Sequence, residues 1–304
     1  MGNCSCDILL GNAGVPGCVA SHGVARKLIR TPLIATDGTQ NKIDLSVALD
    51  QAAITALINQ ADASKRWYPT PNFKTVTQER EDSITESFDD GSQAFVRDGV
   101  KTFNGFITKP ASPQLVGVLK DDRCTNFGVY IVDDSGNLIG RDLGDGYLYP
   151  IPVDNGSYNP TYIEPTDTTV AKVNLTFNFS TLFQDENIGF IAADAIGASL
   201  LSENGLLDVV FSNASASSTT EASVEIAYIY GPSNSKLPVT GLLPAEIVLY
   251  NTTTDSSVVT ATAPEGPDGT YSITFAAQTS ADILKISISK DGIDPDDSVN
   301  VTIP

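Results

Sequence analysis

The stretch KVNLTFNF, Lys172 to Phe179, alternates without a break: Val173, Leu175, Phe177 and Phe179 fall on one parity, Asn174, Thr176 and Asn178 on the other. Side chains of a strand point alternately to opposite faces, so this run suits a sheet with one apolar and one wet face and suits no helix. A chain organised around it must be rich in sheet.

Other segments agree. Val129 to Val132 is a short continuous apolar run, Asp133-Asp134-Ser135-Gly136-Asn137 is turn chemistry, and Leu138-Ile139 starts a return strand. FKTVTQERED, QLVGVLKDDR, LLDVVFSNAS and ASVEIAYIYG also read as strands. From Leu237 onward, turn signals recur every eight to twelve residues, the pattern of a small β-sandwich. Strands are expected there at Ala245–Tyr250, Val258–Ala261, Thr270–Ala276, Ile283–Lys290 and Ser298–Ile303. Between Gly144 and Asp167 the Pro/Gly/Asn-rich sequence reads as a loop excursion. One helix is expected, over Asp44–Ala63, with an Ala-rich stripe of Leu49, Ala52, Ala53, Ala56 and Leu57 and a cap from Asp44 or Asp50.

Charge separates the two halves. The net charge is −19, and residues 142–304 hold 4 Lys/Arg against 21 Asp/Glu, leaving the first 141 residues nearly balanced. Such a surface repels nucleic acid and excludes a sequence-reading role. No apolar run is long enough to span a membrane as a helix, and the N-terminus carries no signal-peptide pattern.

Catalytic chemistry finds no foothold. His22 is the sole histidine, so a hydrolase triad lacks a base with a partner nearby. Asp89/Asp90, Asp121/Asp122 and Asp133/Asp134 are neighbours that cannot converge on one bond from a strand, and turn roles suit them better. Cys4, Cys6, Cys18 and His22 have poor zinc spacing and read as reduced thiols and a surface histidine. Asp291, Asp294, Asp296 and Asp297 in KDGIDPDD lack the spacing of a calcium loop and read as a solvated turn. The expectation is no enzyme, no cofactor and no metal.

The segment SFDDGSQAFVRDGVKTFNGFI, Ser87 to Ile107, is too apolar for a linker and too broken for a helix. It reads as two strands and a Gly-Ser turn with phenylalanine on both parities. One face fills the subunit's own core; the other is an apolar patch that a lone soluble molecule avoids. Phe88, Phe95, Phe103 and Phe106 are therefore the candidate subunit interface, with Arg97, Asp98 and Lys101 as charged residues setting register with a neighbour.

Over residues 77–231, EREDSITESFDDGSQAFVRDGVKTFNGFI, QLVGVLKDDRCTNFGVYIVDDSGNLIGR and KVNLTFNF together resemble virion structural proteins of tailed bacteriophages, of the tail-tube and head–tail ring type. VTGLLPAEIVLYN, DGTYSITF and DILKISISKDG resemble the bacterial Ig-like modules appended to phage surface proteins. The resemblance implies a mainly β protein: an N-terminal arm (1–35), a β-sandwich or barrel-like assembly domain with one packed helix (36–235), and an Ig-like β-sandwich (236–304). It also implies a homo-oligomer, a cyclic ring or tube around a channel through which DNA passes without specific contact. Its partners would be other virion proteins, and it would be made in the host cytoplasm and located in the virion. The alternative is a capsid-decoration or fibre-type protein that grips a capsid neighbour or a host surface glycan, with Tyr147, Tyr149, Tyr158 and Tyr162 as contacts.

Overall fold

The computed structural model of the protein describes residues 22–181, 183–231 and 236–304. Up to residue 191 the described chain forms β1 (Ala25–Pro32), β2 (Ile43–Asp44), β3 (Tyr68–Pro69), β4 (Phe73–Arg80), β5 (Ile84–Ser87), β6 (Gln93–Arg97), β7 (Lys101–Ile107), β8 (Phe127–Asp133), β9 (Leu138–Asp142), β10 (Tyr147–Tyr149), β11 (Ile151–Ile163), β12 (Lys172–Phe179) and β13 (Ile188–Ile191). Two helices interrupt them, α1 (Gln51–Ile58) and α2 (Pro113–Asp121). All these strands except β5 and β6 belong to one sheet with the order β2-β10-β9-β8-β11-β12-β7-β4, with β1 and β3 attached through β8 and β13 through β9.

Strand β11 turns the corner. Its first two residues pair with β8, and from Val153 to Ile163 it pairs with β12, with a register break between Asp154 and Asn159. A bulge of this kind bends a strand and lets it pass from one layer to another. One core fills the space between the layers: Leu28, Val129, Ile131 and Ile151 from the β1–β8 side, Phe73, Phe103, Leu175 and Phe177 from the β4–β7–β12 side. Phe103 and Phe177 stack with centroids 5.0 Å apart, and Phe73 meets Phe103 edge-on at 5.3 Å. The 172–179 alternation is obeyed, with Val173, Leu175, Phe177 and Phe179 buried.

Strand β8 is buried along its whole length because both faces are covered. Val129 and Ile131 join the first core, whereas Tyr130 and Val132 join a second with Ile29, Leu148 and the inner face of α1. Its turn is closed by Asp133, a fully buried carboxylate that accepts hydrogen bonds from the backbone N–H of Gly23, Ser135 and Asn137 and from the Asn137 side chain, at 2.7–2.9 Å. Burial works against its charge, but these donors prevail and hold it below the usual carboxylate range.

Several local expectations are corrected. α1 has eight residues, not twenty: Asp50 caps it by accepting from the Ala53 N–H at 2.8 Å, while Asp44 lies in β2. Its buried residues are Ile54 and Ile58, and Ala52 and Ala56 face solvent. QLVGVLKDDR forms α2 and its C-terminal turn instead of a strand. Ser112 Oγ accepts from the Leu115 N–H at 3.1 Å, Pro113 occupies the first turn, and Leu115, Val116 and Leu119 reach the first core. The 144–167 stretch is mostly strand, β10 and β11; beyond Pro152, β11 has a sheet partner on one side only, an edge that tolerates Pro160. Within the expected N-terminal arm, β1 is an interior strand between β8 and β3. Residues 1–21, with Cys4, Cys6 and Cys18, lie outside the described residues.

The rest of the chain forms β14 (Val209–Ser218), β15 (Glu221–Tyr228), β16 (Ile247–Asn251), β17 (Ser256–Val258), β18 (Thr260–Thr262), β19 (Thr270–Phe275), β20 (Ile283–Ile288) and β21 (Ser298–Thr302). They make two four-stranded antiparallel sheets, β14-β15-β19-β18 and β17-β16-β20-β21. Both contribute to a third core, with Val224, Tyr271 and Ile273 from the first and Leu249, Leu284 and Ile286 from the second. The expected boundary at 235/236 is thus displaced to about residue 207, because β15 pairs with β19 from Glu221 to Glu225.

A polar clasp joins the two units. Arg66, only 1% exposed, donates Nε to the Gln60 carbonyl at 2.8 Å, Nη1 to Asp294 at 2.9 Å and Nη2 to Asp296 at 3.0 Å. Within the second unit, Asp297 accepts from the Val209 N–H at 2.7 Å. KDGIDPDD is therefore not a merely solvated turn: it supplies the carboxylates that neutralise a buried guanidinium.

Candidate functional site

Strands β4 and β7 pair as far as Arg80 and Lys101, and the Glu81 N–H donates to the Val100 carbonyl at 3.0 Å. Beyond that point the hairpin leaves the main sheet. β5 and β6 pair only with each other, from Ile84↔Arg97 to Ser87↔Gln93. Gly99 marks the departure: a Cβ there would stand 1.9 Å from the Glu81 carbonyl oxygen, so only glycine lets the strands pass so closely. The tip is closed by Gly91 at φ +81°, with Gly91 N–H donating to the Phe88 carbonyl at 2.9 Å and Ser92 donating through both N–H and Oγ to Asp90. The Ser92 donors hold the Asp90 carboxyl below its ordinary range.

This hairpin leaves large apolar side chains uncovered. Phe88 is 47% exposed, Phe95 63% and Val96 54%, and Ile84 is also exposed. Phe95 and Val96 are consecutive, so both faces of the ribbon carry apolar surface. A two-stranded hairpin standing alone is marginal in water, and one with apolar faces calls for a covering partner.

The candidate interface residues divide into three groups. Phe88, Phe95, Arg97 and Asp98 lie on the exposed hairpin. Phe106 lies away from it, toward the other end of β7 opposite Thr75, half-buried, with Lys172 Nζ 4.9 Å from its ring centre. Phe103 belongs to neither: it is fully buried between Phe73 and Phe177, and its assignment to a subunit interface is corrected to the core. The parity argument gave the reason, since Phe103 and Phe106 occupy opposite faces of β7. Lys101 is already engaged within the chain, 3.4 Å from Asp185, which also binds Arg80 at 2.8 Å. Asp98 accepts from Ser83 Oγ at 3.3 Å. Arg97 is exposed and makes no ion pair among the described residues.

A groove of about 260 Å³ runs along the hairpin root, walled by Phe95, Arg97, Val100, Phe179 and Phe183, with Arg80 and Lys101 on its rim. It adjoins a shallower hollow of about 580 Å³ bordered by Asp154, Asn155 and Asn178. No cluster of three or more His, Cys, Asp or Glu able to hold a metal occurs among the described residues. A separate hollow near β1 contains Arg30 and Asp122, which are bound to each other, and Tyr158 donates to the same carboxylate at 3.3 Å.

The four candidate contact tyrosines do not form a surface. Tyr149 and Tyr158 are buried, Tyr162 packs on the first core, and Tyr147 is covered by Lys42 Nζ at 3.4 Å from its ring centre. Sequence reading also missed Ile84 and Val96. Their exposure follows from β5 and β6 leaving the sheet, which the close approach at Gly99 reveals and the residue pattern alone does not.

The chain matches no protein-family model and no curated protein.

Proposed function

We propose that the protein is a structural subunit of a phage virion, of tail-tube or head–tail ring type, whose copies associate through the β5–β6 hairpin into rings or a tube around a DNA channel. The observation that carries this reading is the projecting ribbon with Phe88, Phe95 and Val96 in solvent. A monomer gains nothing from such a surface, whereas each copy covering its neighbour's hairpin removes it from water at about 25 cal/mol per Å². A head-to-tail contact between unlike surfaces closes into a ring when its rotation fits.

The charge distribution supports the same reading. Of the 21 acids in residues 142–304, Asp282 alone is buried, so the surface of that half is strongly negative. A wall of that sign keeps DNA from adhering as it passes. The proposed role is passive: shape, closure and repulsion, with no bond made or broken.

The test is light scattering on size-exclusion fractions over a wide concentration range, with negative-stain microscopy of the largest species. Rings or tubes are the expected result. A strictly monomeric protein at every concentration overturns the reading.

A further inference from the structure

We infer that the acidic tip of one copy's hairpin seats in the basic root groove of another copy. This rests on the assembly reading above and names the two surfaces that meet.

The hairpin is electrically polar along its length. Residues 83–96 contain Glu86, Asp89 and Asp90 and no lysine or arginine. Glu86, Asp89 and Asp90 surround the tip turn, and all are exposed. The groove's own lining reverses the sign: Arg80, Arg97 and Lys101 line it against Asp98, while Glu81 and Asp82 stand beside it at the strands' parting and Asp185 binds Arg80 and Lys101. Asp185 is shared by Arg80 and Lys101, which leaves Arg97 without a carboxylate. In a chain of net charge −19, a groove with excess positive charge stands out.

The apolar parts match as well. Phe88 stands at the tip beside Asp89 and Asp90, about half exposed. The groove is walled by Phe95, Val100, Phe179 and Phe183 between its cations. An aromatic ring flanked by two carboxylates fits an apolar slot flanked by guanidinium and ammonium groups. Such complementarity selects the partner and its register.

The tip cannot satisfy its own root. From Glu81 to Asp89 an extended ribbon of this length reaches roughly 25 Å at about 3.3 Å per residue. The groove must therefore receive the tip of a second molecule. Passed head to tail from copy to copy, the contact propagates around a ring, whereas a reciprocal exchange of tips closes as a dimer.

Charge reversal tests the pairing. Arg97→Glu, and separately the double variant Asp89→Lys/Asp90→Lys, alter only exposed side chains; far-ultraviolet circular dichroism and thermal unfolding verify that each is folded. Each variant alone should associate ~10-fold or more weakly than the parent, since like charges then face each other. An equimolar mixture should recover association and yield mixed complexes by native mass spectrometry, because each variant's tip then suits the other's groove. Parent-like association of both single preparations overturns the seat, as does a mixture that fails to recover. If Phe95→Ser/Val96→Ser abolishes assembly while the charge reversals leave it intact, the assembly reading stands and the tip-to-root seat falls. A parent protein that never associates removes both.

Discussion

Arg66 Nη1 lies 2.9 Å from Asp294 Oδ2 across 228 positions of sequence, and the arginine that bridges this distance is among the most deeply buried side chains in the protein. Burial disfavours the guanidinium charge, and Asp294 and Asp296 more than compensate, so its pKa is raised. Removing one member of such a pair leaves the other without its counterion. Arg66→Met should therefore destabilise the protein by about 2–3 kcal/mol, below the full penalty for a buried pair because Asp296 is largely exposed. Asp296→Asn should cost less than Asp294→Asn for the same reason. Chemical denaturation of the three variants checks the ranking, and faster proteolysis near residues 203–208 in Arg66→Met would report loosening between the two units.

Two phenylalanines of one segment should behave oppositely. Phe103→Ala empties the stack between Phe73 and Phe177 and should cost about 3–5 kcal/mol of stability. Phe95→Ala removes a side chain that touches mostly water and should change stability by no more than about 0.5 kcal/mol. Its effect should instead fall on self-association. Unfolding curves and sedimentation velocity on both variants separate the two outcomes.

Gly99 should be intolerant of a methyl group. A Cβ at that position meets the Glu81 carbonyl oxygen and carbon at 1.9 and 2.3 Å, both of them backbone, so the strands must part. Gly99→Ala should lower stability by about 1–3 kcal/mol, the usual cost of overpacking, and shift the amide signals of residues 81–100 more than those of the β-sandwich. Gly91→Ala has open space around it but a positive φ, so it should strain the tip turn alone.

Lys27 should give the protein an alkaline signature. It is buried, donates Nζ to the carbonyls of Leu201 and Glu203, and has its pKa pulled down to about 8, burial outweighing the attraction of Glu203. The unfolded chain's lysine keeps its ordinary value of about 10.4. Between these values the unfolded state binds more protons, so this residue's contribution to stability rises with pH across that window. The parent should gain stability relative to Lys27→Met as pH climbs from about 8 to 10.5. A flat difference across that range would disprove it.

What the residues disclosed, and what they hid, follows the range of the interactions. β12 and the β8–β9 hairpin were legible because alternation and turn chemistry are local. α2 was hidden by its short apolar run, which fits a strand as well as a helix; the arbitrating signal was Ser112-Pro113, a cap followed by a first-turn proline. β14 and β15 were correctly read as strands but placed in the wrong unit, because strand existence is local and strand partnership is not. The same limit hid the clasp: nothing near KDGIDPDD announces Arg66. Of the interface candidates, Phe88 and Phe95 are exposed and Phe103 fills the core; Phe95 and Phe103 share a parity, so alternation does not separate them, and the return of β7 into the main sheet does.

The place of β15 between β14 and β19 also dictates how the molecule can be dissected. A fragment starting at the compositional change near 236 would lose one edge strand and one interior strand, and with them Val224 and Ala222, the partners of Tyr271 and Ile273 across the sheet. A fragment starting near 205 keeps all eight strands and should express as an independently folding piece, while the shorter one should precipitate.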